Sequence, residues 1–200
     1  MTLRILVTLQ IVSCLSLYGQ TPEQLCNQAI ELSKKGQTEK AIEILKQAIE
    51  KDPGRKETYY VLGKAYLVNR DAENGEINFK RALEIDSTYV DPYDYLTLIC
   101  YLRKDFEAGS RYFDKAIELE SSVQRFLGRA DLRGAAGDYQ GAIDDCDRVI
   151  RIEPSNADVY VTRGNSRFGL KDKVGACADL GRAIELGKPK DAFYIKYCEQ

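Results

Sequence analysis

The sequence predicts an all-α fold, a solenoid of five stacked helix-turn-helix units closed by a C-terminal capping helix. Two observations carry this expectation. Residues 142–154, AIDDCDRVIRIEP, read as one amphipathic helix: Ala142, Cys146, Val149 and Ile150 share a face, and Asp144, Asp147, Arg148 and Arg151 fall elsewhere. That is the apolar stripe of a helix covering a core, and Pro154 stops it. The same helix then recurs along the chain. Ala48, Ala82, Ala116, Val149 and Ala183 stand 34, 34, 33 and 34 residues apart, and Leu45, Phe79, Phe113, Cys146 and Leu180 keep the same spacings. Ile49, Leu83, Ile117, Ile150 and Ile184 do too. A fixed period of this length marks a stacked helical repeat.

The bulk composition narrows the function classes. The chain has 200 residues, is 44% hydrophobic and 30% charged, and carries a net charge of −2. These values describe a globular chain. No long run of one sign points to nucleic acid or an anionic surface. There is no His, so the commonest general base and metal ligand are absent. Gly-rich phosphate loops and the GxSxG and HExxH motifs are missing. The carboxylates fall on solvated helix faces at repeat spacing. The expectation is a non-enzymatic chain without a cofactor, a metal or a small-molecule substrate.

In chain order, residues 1–20 read as a secretory signal peptide outside the fold. Arg4 gives a positive start, and residues 5–18 are apolar, too short for the roughly 20 residues that span a bilayer. Gly19 and Gln20 suit the cleavage site. The Tyr-Gly-Gln ending resembles export signals of Bacteroidetes-type bacteria. This places the protein outside the cytoplasm, in a bacterial periplasm or secreted. The run Ile11, Val12, Ser13, Cys14 also resembles a lipobox, and a lipidated Cys14 would tie the chain to a membrane. The apolar Leu15, Leu17 and Tyr18 that follow make a poor tether.

From residue 22 the units are 22–55, 56–89, 90–122, 123–156 and 157–190, with a partial sixth at 191–200. Leu25, Tyr59, Tyr93, Phe126, Tyr160 and Tyr194 share one slot of the first helix. Turns fall at Lys35-Gly36, Arg70-Asp71, Lys104-Asp105, Gly137-Asp138 and Lys171-Asp172, where an Asp can cap the second helix. Small residues Gly63, Ala130 and Gly164 face Gly75, Ala142 and Ala176 and let paired backbones approach. One such unit cannot bury its apolar faces alone, whereas five stacked units form a continuous core.

The pattern aromatic-x-x-Leu-Gly-x-x-Tyr, then Ala-x-x-x-Phe-x-x-Ala and a terminal Pro, resembles the tetratricopeptide repeat. The second unit carries it best, in Tyr59, Leu62, Gly63, Tyr66, Phe79 and Ala82, with Gly75 in the first Ala slot. The terminal Pro persists at Pro53 and Pro154. The resemblance covers nearly all of residues 22–200. It implies a right-handed superhelix whose concave side is lined by the first helix of each unit. The lining residues are then Tyr60, Lys64 and Leu67, Asp94, Leu98 and Tyr101, Leu127 and Asp131, and Val161, Asn165 and Phe168. That mixture suits an extended peptide or a partner helix, although rings on long helix faces also pack against neighbouring units. Family members that clamp a terminal carboxylate use a basic lining; Cys26 and Ile30 stand at the matching places. The implied role is an exported scaffold that binds a protein or peptide. The alternative, if Cys14 is lipidated, is a structural subunit of an envelope or secretion assembly.

The last two units differ from the others. Arg129 and Arg163 replace Gln28, Leu62 and Leu96, and Asp145 and Asp179 replace Ile44, Asn78 and Tyr112. Because the changes arrive together, Arg129–Asp145 and Arg163–Asp179 read as ion pairs within a unit rather than ligand contacts. Among the cysteines, Cys177 and Cys198 flank the turn at 186–190, so antiparallel helices bring them level. This favours a bridge over two buried thiols, and the stretch resembles the last unit of Bacteroidetes repeat proteins. Cys146 occupies a core slot, and Cys26 and Cys100 have no evident mate. The final helix, with Phe193, Tyr194, Ile195 and Tyr197, is expected to cap the fifth unit.

Overall fold

The computed structural model describes residues 19–190 and 192–199, without the side chain of Phe193. The signal-peptide expectation and Cys14 lie almost wholly outside the described residues, as do the two ends of the capping segment, Asp191 and Gln200. The described chain is all-helical. Its helices are α1 (Pro22–Lys34), α2 (Thr38–Lys51), α3 (Lys56–Val68), α4 (Ala72–Ile85), α5 (Asp91–Arg103), α6 (Phe106–Leu119), α7 (Val123–Ala136), α8 (Tyr139–Ile152), α9 (Ala157–Gly169), α10 (Lys173–Glu185) and α11 (Ala192–Cys198). Among the described residues no helix is long and apolar enough to cross a membrane. The chain divides into two compact bodies, Met1–Pro92 and Tyr93–Gln200.

One turn design closes every helix pair. Gly36, Arg70, Lys104, Gly137 and Lys171 all have positive φ, from 60° to 86°. They sit in one repeat slot, just past the end of the first helix of a pair. A left-handed residue there lets the next amide reach back to the last helical turn. The amides of Asp71, Asp105, Asp138 and Asp172 bond the carbonyls of Tyr66, Cys100, Arg133 and Arg167, each at 2.9 Å. Each of those aspartates then caps the following helix through its side chain, accepting from the amides of Asn74, Ala108, Gly141 and Gly175. The chain reverses in about three residues because one short segment satisfies both helix ends. Glycine holds the strained slot at 36 and 137, and three cationic residues hold it elsewhere.

In the first body the core gathers Leu25, Ala29, Ala41, Leu45, Ala48 and Leu62 from α1, α2 and α3. The Phe79 ring fills the space opposite Gly63, where an added Cβ would stand 2.7 Å from the ring. Tyr59 is buried, with its hydroxyl on the Pro53 carbonyl at 3.2 Å. In the second body the core gathers Val123, Phe126, Ala130, Ala142, Cys146, Val149, Val159 and Tyr160. Tyr160 repeats the anchor, bonding the Pro154 carbonyl at 2.9 Å. The prolines thus do more than end helices, because each presents the acceptor that a buried phenol needs. Gly109 of α6 sits against Leu132 of α7 and Cys100 of α5, which lets those three helices close together. Helix α11 packs on α10.

Candidate functional site

The first helices of the pairs carry the eleven residues expected to line a binding surface. In the first body, Tyr60 and Lys64 of α3 join Ile30, Ser33 and Lys34 of α1, and Val61 and Val68, around a groove of about 410 Å³. The Tyr60 ring is held edge-on by Tyr89 at 5.3 Å, and the Lys64 ammonium lies 5.2 Å from the Tyr60 ring centre. Leu67 turns toward the pair interface, where it packs over Gly75. Val68 is 63% exposed and extends the apolar floor.

In the second body, Asp94, Leu98 and Tyr101 of α5 line a groove of about 450 Å³ with Thr97, Phe113, Gly128, Asp131 and Leu132. Leu98 and Tyr101 are 47% and 49% exposed, and the Tyr101 ring has Phe106 at 6.2 Å. Asp94 is engaged by Arg125, whose Nε and Nη2 donate to its two oxygens at 3.1 and 3.0 Å. A second pocket of about 210 Å³ lies between α7 and α9 and also has Asp131 on its wall, with Asn165. Leu127 and Val161 pack against the core of this body. Phe168 meets the Tyr197 ring of α11 at 5.3 Å.

Asp131 has an unusual setting. Burial between helices pushes its carboxyl above the ordinary range, Thr162 opposes this with a hydrogen bond from its hydroxyl at 2.8 Å, and the nearby Asp158 charge pushes it further up. The residue as a whole is exposed, and its carboxylate lies against α9 through the Thr162 hydroxyl. Cys146 is fully buried, and burial pushes its thiol up to about 12, so it is protonated and inert at neutral pH. Cys26 is likewise raised by burial. Among the described residues no group of His, Cys, Asp and Glu could hold a metal ion.

The other expected set lies on the opposite side of the first helices, against their partners. Arg129 is 7% exposed and Asp145 is 1% exposed. The guanidinium binds the carboxylate through two atoms, Nε to Oδ2 at 2.8 Å and Nη2 to Oδ1 at 2.6 Å. Arg163 does the same with Asp179, at 2.9 and 2.6 Å. Each pair has two further members that the slot comparison alone did not supply. Arg133 and Arg167 donate to the same carboxylates at 2.8 and 2.9 Å, and both occupy the Tyr66 slot of the repeat. Asp114 and Asp147, on the second helix of the preceding pair, accept from Arg129 and Arg163 at 2.6 Å. Each cluster therefore has two cations and two anions. The hydrogen bonds that Arg129 donates to Asp145 hold its guanidinium above its ordinary range, and burial of Arg163 is outweighed by its aspartates. Cys177 and Cys198 bring their sulfurs to bonding distance with Cα atoms 5.4 Å apart. Ile195 of the final helix is 51% exposed rather than laid on α10.

Residues 26–90 match the family model of the tetratricopeptide repeat. The fold resembles YrrB, described as a TPR protein with an unusual peptide-binding site, with a TM-score of 0.77 and 20% identity over 88% of this chain and 91% of that one. It resembles MamA of Desulfovibrio magneticus RS-1, with a TM-score of 0.77 and 13% identity over 87% of this chain and 99% of that one. It also resembles PilW, a type IV pilus biogenesis factor, with a TM-score of 0.70 and 15% identity over 87% and 81%. At these identities the likeness speaks to the fold.

Proposed function

We propose that this chain of tetratricopeptide repeats is a non-enzymatic interaction module, exported from the cytoplasm, that binds a peptide or protein partner along the first helices of its pairs. The observation that carries the reading is the exposed Leu98 and Tyr101 beside a groove of about 450 Å³ in the second body. Half-exposed aromatic and aliphatic side chains around a concave surface are the anchors that partner chains use. YrrB, with the same fold, is described as peptide-binding. Export is supported by the short apolar N-terminal run and by the approach of Cys177 to Cys198. A bridge between them belongs to an oxidising compartment.

The test is capture of the native partner by in-cell photocrosslinking from position 101. Tyr101→Ala together with Leu98→Ala is expected to abolish capture by affinity pull-down while leaving the thermal midpoint unchanged. Undiminished capture by this double variant would remove the groove from the account. The mass of the mature N-terminus separates a cleaved, free chain from one lipidated at Cys14.

A further inference from the structure

We propose that the pocket between α7 and α9 takes a cationic side chain, an arginine or lysine of the bound peptide, on the carboxylate of Asp131. The inference deepens the groove reading and rests on it. Three observations carry it.

The first is shape. The pocket holds about 210 Å³ and is floored by small residues, Ala130, Gly134 and Ala135. It shares Asp131 with the larger groove that Leu98 and Tyr101 line. A chain anchored in the larger groove can therefore place a neighbouring side chain in the smaller one.

The second is an unbalanced charge. The arginines of α7 and α9, the two helices that wall the pocket, are already engaged. Arg125 serves Asp94 and Glu120, Arg129 and Arg133 serve Asp114 and Asp145, and Arg163 and Arg167 serve Asp147 and Asp179. Lys188 serves Asp158 at 2.6 Å. Among the described residues, Asp131 has one donor, the Thr162 hydroxyl. A carboxylate partly removed from water with no cation gains from one more than an exposed carboxylate does.

The third is the donor and acceptor inventory. The Thr162 hydroxyl is spent on Asp131, and the Ser166 hydroxyl donates to the Thr162 carbonyl at 2.9 Å. The other polar groups of the lining are the Asp131 carboxylate, the Asn165 side-chain amide and the Tyr139 hydroxyl, of which only the carboxylate is charged and each offers an acceptor for N–H groups. An anionic group would meet the repulsion of the Asp131 charge, and a purely apolar one would leave that carboxylate without a cation.

The experiment titrates the isotopically labelled full chain with N-acetyl-arginine amide and, separately, with N-acetyl-norleucine amide, followed by amide shifts. Saturable shifts at Gly134, Ala135 and Asn165 are expected for the arginine probe, about fivefold tighter than for the neutral one, as suits a partly exposed charge pair. Asp131→Asn keeps the acceptor for Thr162 and is expected to erase that preference with an unchanged melting temperature. Asn165→Asp is expected to strengthen it. Equal binding of the two probes, no saturable shift, or a preference that survives Asp131→Asn overturns the site. Selection of random octapeptides on the same protein separates this failure from failure of the groove. Enriched peptides that are released by Leu98→Ala with Tyr101→Ala but contain no basic residue sink the Asp131 site and leave the groove. Arginine-probe binding with no enriched peptide does the reverse.

Discussion

Two helix pairs cut to the same pattern are held in different ways. In α3 and α4 the contact is apolar: Leu62 is buried, the Phe79 ring lies under Gly63, and Asn78 turns its amide back to the Asn74 carbonyl of its own helix. In α7 and α8 the matching slots hold Arg129, Ala130, Asp145 and Cys146. Ala130 keeps its methyl because Cys146 is smaller than Phe79. The charged pair spans the same contact and also reaches back to Asp114 of the preceding pair. An apolar contact can only fill space. A guanidinium can fill it and bond two partners in fixed directions, so the second body adds register between successive pairs to cohesion within one.

The largest effect expected is from Asp145→Ala. It strips Arg129 and Arg133 of a shared, almost fully buried carboxylate and should cost about 3 kcal/mol or more, because a buried charge is left uncompensated. Moving the apolar design across, with Arg129→Leu, Arg133→Tyr and Asp145→Asn together, should return the chain to within about 1 kcal/mol of the parent, since a buried cluster contributes little beyond its own desolvation. Thermal denaturation of both variants decides this. If the triple variant is as damaged as the single one, the cluster supplies cohesion that Leu62 and its neighbours do not.

The second effect tests the apolar side. Gly63→Ala places a methyl 2.7 Å from the Phe79 ring. Overpacking of this kind costs about 1–3 kcal/mol, partly offset by the better helix propensity of alanine, about 1 kcal/mol. The loss should shrink by about 1 kcal/mol when Phe79→Leu makes room, a coupling that a double-mutant cycle in urea measures. No coupling would mean that the ring moves aside freely and that the small slot is not fitted to it.

This comparison also shows what could be read from the chain alone. The 34-residue period places the helices and their partners, because a slot that stays apolar through every repeat can only be core. The same alignment, read for residues that change together, leads to Arg129 with Asp145. It passes over Arg133 and Arg167, although both replace the Tyr66-type ring, because a single change at one slot looks like a solvated charge. It also passes over Asp114 and Asp147. These belong to the preceding pair, and contact between pairs leaves no mark within one unit. The surface lining is least legible. Leu127 and Val161 share a face with Asp131 and Asn165 by periodicity, yet the former two pack on the core and the latter two line a pocket. Only the depth between neighbouring helices separates them.

The smallest expected effect concerns an ion pair that ties two helices of the first body together. Lys56 of α3 donates a short hydrogen bond to Asp86, just past α4, so it ties the start of one helix to the end of its partner at the surface. Thr88 adds its amide at 2.9 Å and its hydroxyl at 2.6 Å. The Lys56 ammonium, then Thr88, hold the Asp86 carboxyl down at about 2, below its ordinary 3.8. A depressed acid stabilises the fold above the unfolded-state value. That contribution is present at pH above 4 and is lost as pH falls through about 2. Asp86→Asn should therefore flatten the acid limb of the urea midpoint between those values. Concentrated salt should weaken the wild-type contribution, because these side chains are partly exposed and open to screening, and it should leave the Arg129 cluster untouched. An unchanged acid limb in Asp86→Asn would mean that the Lys56–Asp86 pair adds nothing to the apolar closure of α3 on α4, and the contrast between the two bodies would be sharper still.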